Sequence, residues 1–182
     1  MSEHKGYEGV SRCIIMMVIL SATALMAAQG ENSDEWSELR KAAERGDVKA
    51  QSELGMRCLV GKGMPKNNVE ALKWLRKAAD QGLPAAQFNL AAGYLEGKGV
   101  ARDPAAAFEW FRKAAEQGHV LAQHNLAQIS EEIFKGEGYL DAIKWYQAAA
   151  NQGWGDSAYN LGLMYSLGLG VAQNRSEADK YY

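Results

Sequence analysis

The sequence predicts an all-α protein built as a solenoid of stacked helical hairpins. Three series of residues recur at intervals of 35 or 36 positions: Leu54, Leu90, Leu126 and Leu161; Trp74, Trp110, Trp145 and Tyr181; Ala71, Ala107, Ala142 and Ala178. A period of this length is typical of stacked units that cannot bury their apolar faces alone. The length of 182 residues, with 47% hydrophobic and 23% charged residues, is that of one folded domain.

The first 30 residues differ from the rest and are interpreted as a secretory signal peptide. Lys5 and Arg12 precede an apolar run over residues 13–28, and small residues follow at Ala28 and Gly30. A basic start, an apolar stretch and small residues occur in this order in cleavable signals. We expect cleavage after Gly30, or alternatively after Ala28, and therefore an exported protein that is periplasmic or secreted. The apolar run is shorter than the ~20 residues of a spanning helix, but an uncleaved membrane anchor is the alternative.

The net charge argues against a nucleic-acid partner, and the cysteine content argues against a disulfide. The net charge of −2, with Lys and Arg spread along the predicted helices, lacks the basic excess of a nucleic-acid-binding protein, so no nucleic acid is expected as a partner. Cleavage would remove Cys13 and leave Cys58 as the only cysteine, which prevents an intramolecular disulfide. We expect Cys58 to be a small buried hydrophobic residue rather than a nucleophile.

The periodicity divides the chain after the signal into a capping helix, residues 31–46, and four units, residues 47–82, 83–118, 119–153 and an incomplete 154–182. The second helix of each unit carries one apolar stripe, as in Ala107, Trp110, Phe111, Ala114 and Ala115. Its predicted N-caps are Asn67, Asp103 and Asn174. The predicted C-terminal glycines with positive φ are Gly46, Gly82, Gly118 and Gly153.

The first helix of each unit carries the core leucine, followed by a small residue that marks a close helix crossing: Gly55, Ala91, Ala127 and Gly162. A Gly-x-Gly pair follows each first helix: Gly61 and Gly63, Gly97 and Gly99, Gly136 and Gly138, Gly168 and Gly170. No strand precedes these pairs, as a phosphate-binding loop would require, so they are predicted to be helical-hairpin turns.

These motifs resemble the Sel1-like repeat family, an α-solenoid relative of the tetratricopeptide repeats. The segments that match its pattern best are Ala86 to Leu90, Tyr94 to Val100, Asp103, and Trp110 to Gly118. The resemblance covers nearly all of the chain beyond Glu31. It implies a right-handed α-α superhelix of paired helices whose concave face binds proteins or peptides.

Two places depart from that pattern. The third unit lacks the Val and the capping Asp after its Gly-x-Gly pair, and its first helix is expected to be about three residues longer than the others. The fourth unit stops at Tyr181 and Tyr182, midway through its second helix. We expect either a shortened member of a longer array or an edge that is frayed or covered, since solenoids usually end in a polar cap.

A groove lined by the first helices is the candidate binding site for a protein or peptide partner. The residues expected to face it are Phe88, Asn89, His124, Asn125, Gln128, Tyr159 and Asn160. Amides donate to and accept from a peptide backbone, and rings give apolar contact. The resemblance supports the three asparagines, because Asn at the matching place in tetratricopeptide repeats contacts peptides. The alternative is that Asn simply tolerates an exposed helix position.

An enzyme is not expected, and neither a catalytic residue, a metal nor a cofactor is assigned. His119 and His124 are five residues apart and so lie on different faces of a helix, which disfavours a shared metal. Some cysteine-rich exported relatives are discussed as β-lactam-binding proteins, but this chain lacks paired cysteines and an S-x-x-K element. The sequence thus favours an exported scaffold or adaptor of a bacterial envelope. The alternative is an envelope enzyme or binder that acts on peptidoglycan or β-lactams.

Overall fold

A computed structural model describes residues 35–182, apart from the side chains of residues 133 and 135. The predicted signal peptide and the start of the capping helix lie outside the described residues. The helices are α1 (35–44), α2 (Val48–Val60), α3 (Asn68–Asp80), α4 (Pro84–Glu96), α5 (Pro104–Glu116), α6 (Val120–Phe134), α7 (Tyr139–Ala150), α8 (Gly155–Leu167) and α9 (Arg175–Ala178), with a 3-10 helix (Lys135–Gly138) between α6 and α7.

The helices form the predicted α-α superhelix. From α2 onward, each α-helix packs against the next one along the chain, so α2–α3, α4–α5, α6–α7 and α8–α9 are hairpins that stack in order. The described part of the chain contains no strand. Within residues 35–182, no helix combines the length and the apolar character needed to cross a membrane.

The ends of the helices are capped as the sequence predicts. The side chains of Asn67, Asp103 and Asn174 each accept a hydrogen bond from the backbone N–H three residues later, over 3.0 to 3.1 Å. These bonds satisfy donors that the first turn of a helix leaves unpaired. The glycines between units, from Gly46 to Gly153, have φ between 85° and 97°, which reverses the chain after each second helix.

The buried apolar residues form three clusters along the described stack, and half-buried Leu59 and Trp145 each pack against two of them. The repeated leucines are at most 2% exposed, and Phe111 and Tyr146 are the largest fully buried side chains. Gly55 confirms the expected close crossing, since a Cβ atom there would lie 2.7 Å from Leu75 Cγ. Cys58 is also buried, as expected, and burial raises the pKa of its thiol.

Paired glutamines, which were not predicted from the sequence, join successive units. Gln87 donates to the Ala79 carbonyl of the preceding unit over 3.2 Å and accepts from Gln117 of its own unit over 2.8 Å. The same arrangement recurs at Gln51 with Gln81 and at Gln123 with Gln152. The first member of each pair is buried. Each pair therefore fixes a first helix to the second helices on both sides of it.

The third unit confirms one expectation and corrects another. Its first helix, α6, is longer than the others, with 15 residues against 13 in α2, α4 and α8, where about three extra residues were expected. The other Gly-x-Gly pairs have positive φ at both glycines, but Gly136 and Gly138 do not. They lie in the 3-10 helix, and Gly138 is required because a Cβ there would collide with the Ser130 carbonyl. The chain therefore turns into α7 through a 3-10 helix, without the left-handed glycines of the other hairpin turns.

Candidate functional site

Two pockets in the described part of the chain lie on the wall formed by the first helices. The α6–α8 pocket, of about 290 Å³, is lined by Gln128, Glu131, Tyr146, Asn160, Leu163, Met164, Leu167 and Leu169. The α2–α4 pocket, of about 150 Å³, is lined by Leu59, Lys66, Asn68, Asn89, Ala92, Gly93, Glu96 and Lys98. Both pockets lie between the first helices of consecutive units, where the sequence analysis expects the groove.

The three predicted asparagines occupy the same position on α4, α6 and α8 but have different surroundings. Asn89 lines the α2–α4 pocket and Asn160 lines the α6–α8 pocket together with Gln128. Asn125 lies on α6 between them, and its side-chain nitrogen donates to the Leu121 carbonyl of its own helix over 2.7 Å. The amides of Asn89 and Asn160 therefore line pockets, whereas the amide of Asn125 already donates one hydrogen bond within its own helix.

His124 does not face the groove, and that expectation was wrong. The side chain is 9% exposed, and its Nδ1 lies 2.8 Å from Ser157 Oγ on α8. The ring also packs near Tyr146 and Trp154, with ring centroids 5.6 and 6.2 Å away. Burial lowers the pKa of His124, so its neutral form is favoured. A side chain two residues before the core leucine points towards the following unit. His124 is therefore buried by residues of that unit.

The two other predicted residues at that position, Phe88 and Tyr159, differ in their contacts and in their exposure. Phe88 is half-buried and stacks on His119 of the following unit, with ring centroids 4.9 Å apart. Tyr159, in the last unit, is 55% exposed and its ring lies 5.7 Å from that of Tyr182. Phe88 therefore contributes to the interface between units, while Tyr159 offers an exposed aromatic surface.

A buried tyrosine sets the chemistry of the α6–α8 pocket. Tyr146 is 2% exposed, and it lines the pocket beside Glu131 and Asn160. Burial and the Glu131 carboxylate raise the pKa of the Tyr146 phenol, whereas Asn160 lowers it. The phenol stays protonated at neutral pH. The pocket thus presents a carboxylate, amides and a phenol above an apolar floor.

Nothing in the described residues points to a metal. No group of three His, Cys, Asp or Glu side chains within residues 35–182 is placed to hold an ion. His119 Nδ1 instead accepts a hydrogen bond from the backbone N–H of Ala122 over 3.2 Å and so caps α6. Burial lowers the pKa of His119, which keeps this acceptor unprotonated.

A larger cleft lies on the wall formed by the second helices and was not predicted. The α5–α7 cleft, of about 520 Å³, is lined by Phe108, Arg112, Glu116, Phe134, Glu137, Gly138, Asp141, Lys144 and Trp145. Phe108 and Phe134 meet edge to face with ring centroids 5.5 Å apart, and Phe134 is 45% exposed. The sequence feature that could have indicated this cleft is the absence of the Val and the capping Asp after the Gly-x-Gly pair of the third unit.

Comparisons with known proteins support the repeat assignment. A family model described as Sel1 repeat matches residues 48–83, 84–119, 120–154 and 155–182. No curated protein matches the chain. The chain is similar to the crystal structure of c5321, a protective antigen present in uropathogenic Escherichia coli strains that displays an SLR fold. The identity is 42% and the TM-score 0.75 over 79% of this chain, which spans only 31% of that one.

Two further solved structures extend the comparison. The chain is similar to a Sel1 repeat protein from Oxalobacter formigenes, with 32% identity, a TM-score of 0.76, and coverage of 90% of this chain and 67% of that one. It is also similar to MamA, with 20% identity, a TM-score of 0.55, and coverage of 85% and 86%. At that identity, the similarity to MamA concerns the fold alone.

Proposed function

Because the chain belongs to the Sel1 repeat family, we propose that it is a non-catalytic scaffold or adaptor that binds a protein or extended peptide along the wall formed by α2, α4, α6 and α8. Sel1 repeats typically serve in protein–protein interaction. The proposal is supported mainly by the placement of Asn89 and Asn160. They occupy equivalent positions in the second and fourth units, and each lines a pocket on this wall. Their amides can pair with both the N–H and the C=O groups of an extended backbone.

Export to a bacterial envelope is the second part of the proposal. It is supported by the order of basic, apolar and small residues within the first 30 positions. The test is the intact mass of the protein recovered from periplasm or medium. We expect a chain that begins at Glu31, or at Gln29 if cleavage occurs earlier. A full-length species in the membrane fraction would contradict cleavage and support the anchor.

Peptide binding is tested with ligands selected from a random dodecapeptide display library against the purified protein. Calorimetric titration then compares the wild type with Asn89→Ala and Asn160→Ala. Each change should weaken binding by roughly five- to 150-fold, since a hydrogen bond lost to a buried polar group costs ~1–3 kcal/mol. Asn125→Ala should have a smaller effect, because its amide already donates to Leu121.

The matched control is Lys73→Ala on the exposed side of α3, which should leave the affinity unchanged. Circular dichroism checks that each variant is folded. If a folded Asn89→Ala, Asn160→Ala double variant binds as tightly as the wild type, the asparagines are ordinary surface residues and the proposed site is wrong.

A further inference from the structure

We propose that the α6–α8 pocket holds the side chain of a lysine or arginine of the bound peptide. The proposal rests on the proposed function, because it names the kind of residue that one pocket of the binding wall selects. Three features of the pocket lead to it: its apolar floor, its acceptor groups and the sign of its charge.

The floor of the pocket suits the aliphatic part of a long basic side chain. Leu163, Met164, Leu167 and Leu169 form an apolar surface, and the cavity of about 290 Å³ is open on one side to the groove. Lysine and arginine bury their methylene stems along such surfaces while their charged groups remain in polar surroundings. A short polar side chain would leave this floor in contact with water.

The polar groups of the pocket act mainly as acceptors. Glu131 contributes a carboxylate, which lies beside the buried Tyr146 phenol in the lining of the pocket. The side-chain oxygens of Asn160 and Gln128 can accept further hydrogen bonds. Ammonium and guanidinium groups are donors only, and a charge-assisted bond to a carboxylate is stronger than a neutral one.

The charge of the pocket separates it from the other pocket of the same wall. Among the described residues that line the α6–α8 pocket, Glu131 is the one that carries a charge at neutral pH. The α2–α4 pocket is lined by Lys66 and Lys98 as well as Glu96, with Lys98 and Glu96 paired. A basic side chain is therefore attracted to one end of the wall and not to the other, which would fix the direction of a bound peptide.

The test is a double-mutant cycle between the peptide and the pocket. A selected dodecapeptide is synthesised with its basic residue and, in parallel, with norleucine in its place. Norleucine keeps the stem and removes the charge. The wild type should bind the basic peptide at least ~10-fold more tightly than the norleucine peptide, as one charge-assisted hydrogen bond would give, and Glu131→Gln should reduce this ratio towards one. Glu132→Gln, an exposed carboxylate on the same helix, should leave the ratio unchanged.

A second variant tests the phenol of the pocket. Tyr146→Phe keeps the ring but removes a hydroxyl oxygen that can accept a hydrogen bond from the basic group, and it should reduce the ratio by about fivefold, as the loss of one hydrogen bond does. An equal ratio in the wild type and in Glu131→Gln would overturn the proposal.

The selection itself separates this inference from the proposed function. Selected peptides without a recurrent basic residue, whose binding is nevertheless weakened by Asn89→Ala, would overturn the inference and retain peptide binding. A library that yields no binding peptide would overturn both.

Discussion

The second and third units of the solenoid have the same interior but different outer walls. Both bury the repeated leucine, Leu90 in one and Leu126 in the other, to 1% exposure or less. Both also keep the glutamine pair that joins them to the unit before, through Gln87 and Gln123. The helix pair is therefore held in the same way in the two units.

The connection between the two helices is where the units differ. In the second unit, Gly99 has a φ of 79° and lies so close to the start of α3 that a Cβ would be 2.5 Å from the Asn68 carbonyl carbon. The corresponding loops at Gly63 and Gly170 contact Trp36 and Tyr139 in the same manner. In the third unit, the 3-10 helix Lys135–Gly138 takes the place of this loop, and the α5–α7 cleft lies beside it.

This difference indicates what the hairpin loop does. The loop covers the seam between neighbouring second helices, whereas the core residues and glutamines hold the pair together. A unit can lose the loop and keep its fold, but its outer wall then exposes aromatic side chains. Trp110 in the second unit is 8% exposed, while Trp145 in the third is only half-buried and lines the cleft.

The largest expected effect is on the two tryptophans. Trp110→Ala should lower the free energy of unfolding by ~3–5 kcal/mol, because it removes a buried aromatic side chain from the centre of the stack. Trp145→Ala should cost roughly half as much, since part of its surface is already in contact with solvent. Chemical denaturation of both variants measures the difference. Equal losses would show that the outer wall of the third unit is packed as tightly as that of the second.

A smaller effect is expected from the glycines. Gly99→Ala should destabilise the protein by at least ~1–2 kcal/mol, because alanine avoids the left-handed region and its Cβ would displace the backbone of α3. Gly136→Ala should be neutral or stabilise by up to ~1 kcal/mol, because Gly136 lacks a positive φ and nothing lies within 4 Å of an added Cβ. Thermal unfolding of the pair tests this. A destabilising Gly136→Ala would mean that the third unit also needs a left-handed turn.

The smallest effect concerns pH at the junction of the two units. Burial lowers the pKa of His119, so the folded protein binds fewer protons there than the unfolded chain does. The stability is complete above the unfolded pKa of ~6.5 and falls as the pH is lowered through that value. His119→Asn keeps a residue that can cap α6 but does not titrate. It should lose less stability than the wild type between about pH 7.5 and 5.5, as measured by denaturation midpoints.

Most of the fold could be predicted from the sequence because the same pattern of residues recurs in each of the four units. The leucine, tryptophan and alanine series fix the helix phase, and the N-caps at Asn67, Asp103 and Asn174 were correctly identified. The third unit was predicted less well. Its missing Val and Asp indicated an irregular connection, but only the backbone shows that a 3-10 helix takes the place of a left-handed turn.

The site was predicted only in part, for a physical reason. The helix period shows which residues point away from the core leucine, and this places Asn89 and Asn160 on the correct wall. The helix period does not show which of these residues are covered by the following unit. His124 was assigned to the groove for this reason, although Ser157 and Trp154 of the following unit enclose it. The glutamine pairs were missed because each joins residues about 30 positions apart.

We propose that partners bind the wall of first helices and not the aromatic cleft between α5 and α7. Hydrogen–deuterium exchange with and without a selected dodecapeptide distinguishes the two surfaces, because it maps protection along the whole chain. Added protection should appear in α4, α6 and α8, while α5 and α7 exchange as before. Protection centred on Phe108, Phe134 and Trp145, with α4 and α8 unchanged, would contradict it.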